Sequence, residues 1–111
     1  MTDEQIALAR RAVACKGFRW LPGMKVLDGF RVVESVVPMM FPVDTPDLTD
    51  PATLGCLLAL VREALDGQLL GVAFDYDCGE WCVRLWNGSS LFYGKGDTEA
   101  EALVAALEDG A

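Results

Sequence analysis

The sequence contains no histidine. That removes the usual general base, the commonest neutral metal ligand and the one side chain that titrates near neutrality without help. No serine or cysteine stands in a readable nucleophile–base arrangement, and no glycine-rich phosphate loop is present. Nothing approaches the run of about twenty apolar residues that a membrane span requires. The longest candidate, Leu54 to Val61, is short and reads as core. The four cysteines, at 15, 56, 78 and 82, lack the dense even spacing of a secreted disulfide scaffold. Cys78 and Cys82 are too widely spaced for the tight pairs of a zinc site, and no further ligands accompany them. These absences point away from an enzyme, a cofactor and a metal centre.

Basic residues are also few, and they are unevenly placed. Residues 1–34 hold six of the nine (Arg10, Arg11, Lys16, Arg19, Lys25, Arg31) against four acids, a net of +2. Residues 35–111 hold Arg62, Arg84 and Lys95 against thirteen acids, a net of −10. Summed charge steers association and choice of partner, so an acidic body without catalytic equipment predicts a binder of a basic surface. The basic set Arg10, Arg11, Lys16 and Arg19 is too small against that excess to expect direct nucleic-acid binding.

The 111 residues are enough for one domain with a modest core, and the mix of apolar and charged residues is ordinarily globular. The start, MTDEQIALARR, is acidic and then amphipathic, unlike a secretory leader, and predicts a cytoplasmic location. Thr2 and Gln5 form a capping box for a helix running to about Cys15, with Ile6, Ala9 and Val13 inward and Gly17 ending it. After an FRWLPG loop with a Pro22-Gly23 turn, MKVL and FRVVESVV flank Asp28-Gly29, a hairpin signal. Pro38, Pro42 and Pro46 then hold a connection ordered by Met39, Met40 and Phe41. Asp50 caps a second helix that opens on Pro51. Its apolar arc of roughly 200° predicts packing against both a sheet and a neighbouring helix, and Gly67 is its C-cap.

Two further hairpins follow, turning at Cys78-Gly79 and Asn87-Gly88. One sheet face collects Val72, Phe74 and Tyr76 opposite Leu85, Val83 and Trp81, with Phe92 beside them. Thr98 and Glu101 cap a last helix with Leu103, Val104 and Leu107 inward. The fold class is therefore α+β, a single domain over 1–111 in the order αββ-αβββα. It is an antiparallel, hairpin-built sheet with helices expected on both faces, the first helix covering the outer face of Cys82, Arg84, Trp86, Leu91 and Tyr93.

The acidic positions singled out for partner contact are Asp75, Asp77 and Glu80 at a hairpin tip, Asp97, Glu99 and Glu101 at the last helix, and Asp44 and Asp47 in the proline-rich connection. The segment DYDCGE begins like a calcium loop, but an EF-hand needs about twelve residues between two helices, and strands flank it here. Acids in a helix's first turn already complement the helix dipole, which accounts for part of the last-helix set. If the outer sheet face is bare, Trp86, Tyr93 and Arg84 are interface-anchoring types.

Three stretches, GFRWLPGMKVL at 17–27, PDLTDPATLGCLLALVREAL at 46–65 and GDTEAEALVAALE at 96–108, resemble small proteins of bacteriophages and prophages. The succession of that central helix, a tryptophan-bearing hairpin and the last helix is similar to the phage ABA-sandwich domain. The resemblance covers about half of the 111 residues and rests on capping and core positions. It implies a viral accessory protein acting in the bacterial cytoplasm, and in such a setting the basic partner is a host nucleic-acid-targeting defence protein, inhibited in the anti-CRISPR or anti-restriction manner, with nucleic-acid mimicry as one mode. The alternative expectation is a structural or regulatory protein that self-associates through apolar surface, as a homodimer.

Overall fold

A computed structural model describes residues 2–27, 29–41, 44–64, 69–85 and 91–110. It is an α+β fold with helices α1 (Asp3–Ala14), α2 (Pro51–Ala64) and α3 (Glu99–Gly110) and strands β1 (Leu69–Asp75), β2 (Glu80–Leu85) and β3 (Leu91–Gly96). The strands form one antiparallel sheet in the order β1-β2-β3.

The helix starts follow local chemistry. Thr2 Oγ1 accepts the Gln5 amide at 3.2 Å and Gln5 Oε1 accepts the Thr2 amide at 3.1 Å, closing the capping box of α1. Asp50 Oδ2 accepts the Thr53 amide at 3.0 Å, one residue before Pro51 opens α2. Thr98 Oγ1 accepts the Glu101 amide at 3.2 Å, while Glu101 Oε2 reaches back past the cap to the Asp97 amide at 2.8 Å. Pro22 and Gly23 make the expected β-turn, with Met24 N donating to Leu21 O and Gly23 at φ 101°.

Packing departs from expectation in its centre. In α3, Ala102, Leu103, Val104, Ala106 and Leu107 are all fully buried, a wide inward arc that leaves only the side of Glu108 and Asp109 exposed. One side lies on the sheet and the others carry α1 and α2. Among the described residues α1 therefore sits on α3, and helices on both sheet faces are not found. The inward stripe of α1 is Leu8, Ala9 and Ala12 rather than Ile6, Ala9 and Val13. Ala9 and Ala12 are small enough for close approach to the alanine-rich α3. Likewise α2 meets α3 on one side, and on the other it meets the loop before residue 32 rather than the sheet: Thr53 Oγ1 accepts the Lys25 amide at 2.9 Å. A single core runs through all these contacts, with Trp20, Met24, Val26 and Val32 of the loop region inside it.

The first predicted hairpin forms as a short pairing: Lys25 bridges Arg31, Val32 N donates to Met24 O at 2.7 Å, and Gly23 N and Val26 N donate to Val32 O and Phe30 O at 2.8 Å, while Val26 bridges Pro46 on the other edge. Beyond Val32 the partner segment ends in the Pro22-Gly23 turn, so Val33 onward has no strand to pair with. It turns instead into a 3-10 helix, Glu34–Met39, with Pro38 inside. Met39 and Phe41 are not ordered by burial, being 67% and 66% exposed. The predicted tip residue Asp28, the second-helix cap Gly67 and the Asn87-Gly88 turn lie outside the described residues.

In the β1–β2 hairpin, Phe74 faces Trp81 and Val72 faces Val83, two residues from the expected register. The turn is longer than Cys78-Gly79 alone: Gly79 N donates to Asp75 O at 2.8 Å and Asp75 Oδ1 accepts the Asp77 amide at 2.9 Å. Tyr76 is thereby lifted into the turn, 88% exposed, with its ring edge against Phe74. A shift of two keeps every other side chain on its face, and this face meets α3. No helix among the described residues is long and apolar enough to cross a membrane.

Candidate functional site

The charge split is partly resolved inside the molecule. Four ion pairs form among the described residues: Arg11–Glu108 at 2.5 Å, Arg19–Glu63 at 2.6 Å, Lys25–Asp47 at 3.4 Å and Arg31–Asp50 at 3.0 Å. Each joins a base from residues 1–34 to an acid from residues 35–111. The basic third is thus fastened onto the acidic remainder, and Arg11 and Arg19 of the basic set are engaged in doing so.

The acids named from sequence divide into two groups. Asp47 is turned inward, at 7% exposure, with Thr49 N and Oγ1 and Lys25 Nζ on its carboxylate. Burial pushes its carboxyl up, and the Thr49 and Lys25 contacts outweigh this, leaving it below the usual carboxylate value. Asp44, half-buried, accepts the Phe41 amide at 2.7 Å and closes a local turn. Asp75, half-buried, is held below its usual value chiefly by the Asp77 amide. These three shape the chain locally. Asp77 and Asp97 are exposed, and Glu80, Glu99 and Glu101 are half-buried at the surface.

The sheet register brings that second group together. Asp75 pairs with Glu80 and Trp81 pairs with Gly96, so the β1–β2 tip and the β3–α3 junction occupy the same end of the sheet. Beside them opens a cleft of about 560 Å³ between the starts of α1 and α3. Leu8, Leu48, Leu54, Ala100 and Trp81 give it an apolar floor, and Glu4, Asp97, Glu99 and Glu101 stand around it with Thr2, Thr49 and Thr98. No lysine or arginine is among its described lining residues. None of its four acids belongs to the four ion pairs that fasten the N-terminal third.

Sequence reasoning missed Glu4, Leu54 and Trp81 as site residues, having placed the last two in the core. The available signal was the matching of two capped, acid-rich helix starts, at Thr2–Gln5 and Thr98–Glu101. Trp86 lies outside the described residues. Tyr93 belongs to β3, and its side chain lies outside them too.

Asp47, Asp50, Asp75, Cys15, Cys56 and Cys78 have displaced titrations, and none of them lines the cleft. The thiols of Cys15 and Cys56 are pushed up by burial and that of Cys78 by the Asp75 carboxylate, away from the reactive thiolate. No group of three or more Cys, Asp or Glu suited to a metal ion is found among the described residues. The chain matches no protein-family model, no curated protein and no solved structure.

Proposed function

We propose that this chain is a non-enzymatic binder of a basic protein surface, and that the end of the sheet bearing Asp77, Glu80, Asp97, Glu99 and Glu101 makes the contact. The observation that carries this reading is the register pairing of Asp75 with Glu80 and of Trp81 with Gly96, which places two acidic segments, twenty residues apart in sequence, side by side. Carboxylates so grouped suit the guanidinium and ammonium groups that phosphate-binding proteins present. The resemblance of residues 17–27, 46–65 and 96–108 to small phage proteins supports a concrete version. In it the chain is a phage or prophage accessory protein that occupies the nucleic-acid-binding surface of a bacterial defence protein in the host cytoplasm.

Expression in a restriction- or CRISPR-bearing bacterium tests the concrete version: plaque formation by a targeted phage rises with the native chain. It returns to background with Asp77→Asn, Glu80→Gln, Asp97→Asn and Glu99→Gln combined. Equal rescue by that folded variant removes the acidic end from the mechanism.

A second reading has an observation of its own. Phe30, Val33, Met39 and Phe41 are each at least half exposed along one short segment, and clustered apolar surface of this kind suits self-association. A dimer in sedimentation that persists at high salt and dissociates with Met39→Ser and Phe41→Ser favours it.

A further inference from the structure

We infer that the cleft between the starts of α1 and α3 is a docking groove for a peptide segment in which leucine-like side chains are flanked by lysine or arginine. This rests on the proposed binding of a basic protein and specifies what that protein must present.

Two properties of the cleft select such a segment. Its volume, about 560 Å³, lies within the range of about 300–1,000 Å³ typical of ligand-binding pockets. Leu8 from α1, Leu54 from α2, Ala100 from α3 and Trp81 from β2 supply apolar walls from four different elements. Such a floor has no use for a purely charged ligand. A nucleic-acid mimic needs carboxylates on a convex surface, whereas these carboxylates surround a hollow that only an apolar group can fill without losing hydration.

The rim then fixes the charge of the flanking residues. Glu4, Asp97, Glu99 and Glu101 contribute four formal negative charges among the lining residues. The starts of α1 and α3 oppose them with roughly half a positive charge each. The sum remains clearly negative, so the rim favours cations and repels phosphate or acidic peptides. Trp81 adds a ring against which a guanidinium can stack.

Binding of labelled, end-capped peptides to the full chain tests the inference by fluorescence anisotropy and by amide chemical-shift mapping. The peptide KRLLRK binds, and KRSSRK binds on the order of tenfold more weakly or worse, because the serines leave the floor unfilled. Shift changes for KRLLRK centre on Leu8, Leu54, Trp81 and Ala100, and Glu4→Gln with Glu99→Gln weakens both peptides. Equal affinity for the two peptides, or shifts confined to the hairpin tip, overturns the groove and leaves the basic-surface reading standing. Failure of both peptides alongside intact, acid-dependent phage rescue overturns the groove alone. Failure of both with no rescue overturns the groove and the defence-inhibitor version of the basic-surface reading together.

Discussion

Gly94 of β3 lies directly under Ala106 of α3. A β-carbon built on Gly94 would stand 2.6 Å from the Ala106 amide nitrogen and 2.4 Å from the carbonyl oxygen of Ala102. Both obstacles are backbone, so no rotamer change relieves them. Gly96 is similarly close to the Ala102 amide. The central helix is therefore seated on glycine at two alternate positions of one strand, and the height of α3 above the sheet is set there.

Gly94→Ala is accordingly expected to lower stability by about 1–3 kcal/mol or more, the cost of overpacking a dense core. Gly55→Ala is the paired control. Gly55 lies on the exposed side of α2, where beyond the adjoining backbone of its own helix nothing stands within 4 Å of the new methyl. There the change should raise stability by about 0.5–1 kcal/mol through lost backbone entropy of the unfolded chain. Urea titration followed by circular dichroism reads both, and the argument fails if the two substitutions move the midpoint in the same direction.

Thr53 ties the loop before residue 32 to the start of α2. Its buried hydroxyl accepts the Lys25 amide at 2.9 Å and donates to Asp50 Oδ2 at 2.9 Å. Thr53→Val keeps the shape and removes both bonds, leaving the Lys25 amide without its acceptor, and should cost about 1–3 kcal/mol. Thr53→Ser retains the hydroxyl and should recover most of that loss. Equal unfolding midpoints for the valine and serine variants would show that the hydroxyl does not matter.

What was legible in the sequence and what was not separates by distance along the chain. The caps at Thr2, Asp50 and Thr98 depend on bonds spanning three residues, so residue type and spacing suffice to find them. The valine-rich stretch after Phe30 has strong β propensity, yet a strand also needs an open edge. The partner of this stretch runs out at the Pro22-Gly23 turn, where Gly23 N meets Val32 O, so Val33 onward has nothing to pair with. The centrality of α3 depends on Gly94 and Gly96, whose meaning appears only when β3 is laid against Ala102 and Ala106. The charge split was legible as a pattern and only partly as a purpose: Arg11, Arg19, Lys25 and Arg31 spend it within the fold. At the site, Asp97, Glu99 and Glu101 stood out as acids. Trp81 and Leu54 could not, because a half-buried floor residue has the same pattern as a core residue.

Cys78 offers a chemical probe of the hairpin tip. Its thiol is exposed and donates to Asp75 Oδ2 at 3.5 Å, and this bond together with the carboxylate's negative charge raises the thiol's titration above its ordinary value. Asp75→Asn removes that charge, so more thiolate is present at mildly alkaline pH and alkylation by iodoacetamide should accelerate. The gain will be smaller than the rise in thiolate fraction, because intrinsic nucleophilicity falls as the thiol becomes more acidic. Cys82 is buried and should label only on unfolding. Mass spectrometry of timed labelling distinguishes the sites, and slower modification of Cys78 in the variant would contradict the assigned contact.

Acid should loosen the junction between the loop region and α2. Arg31 holds the Asp50 carboxyl well below the ordinary carboxylate value through paired bonds at 3.0 and 3.1 Å, with Thr53 adding two more. Asp47 is also lowered, less strongly, because burial opposes its Thr49 and Lys25 contacts. A carboxyl whose folded value is depressed stabilises the fold fully above its unfolded value, about 3.9, and loses that contribution as pH falls through the folded value. The difference in urea midpoint between the native chain and Asp50→Asn should therefore be largest at neutral pH. It should shrink steadily as the pH falls below about 4, because the unfolded chain then takes up a proton at Asp50 that the folded chain, with its carboxyl held ionised by Arg31, does not. Relief of general charge repulsion on acidification acts almost equally on the two proteins, one formal charge apart, and so cancels from the difference. A difference that stays constant down to about pH 2 would mean that the cap works through the shape of the side chain and not through its charge.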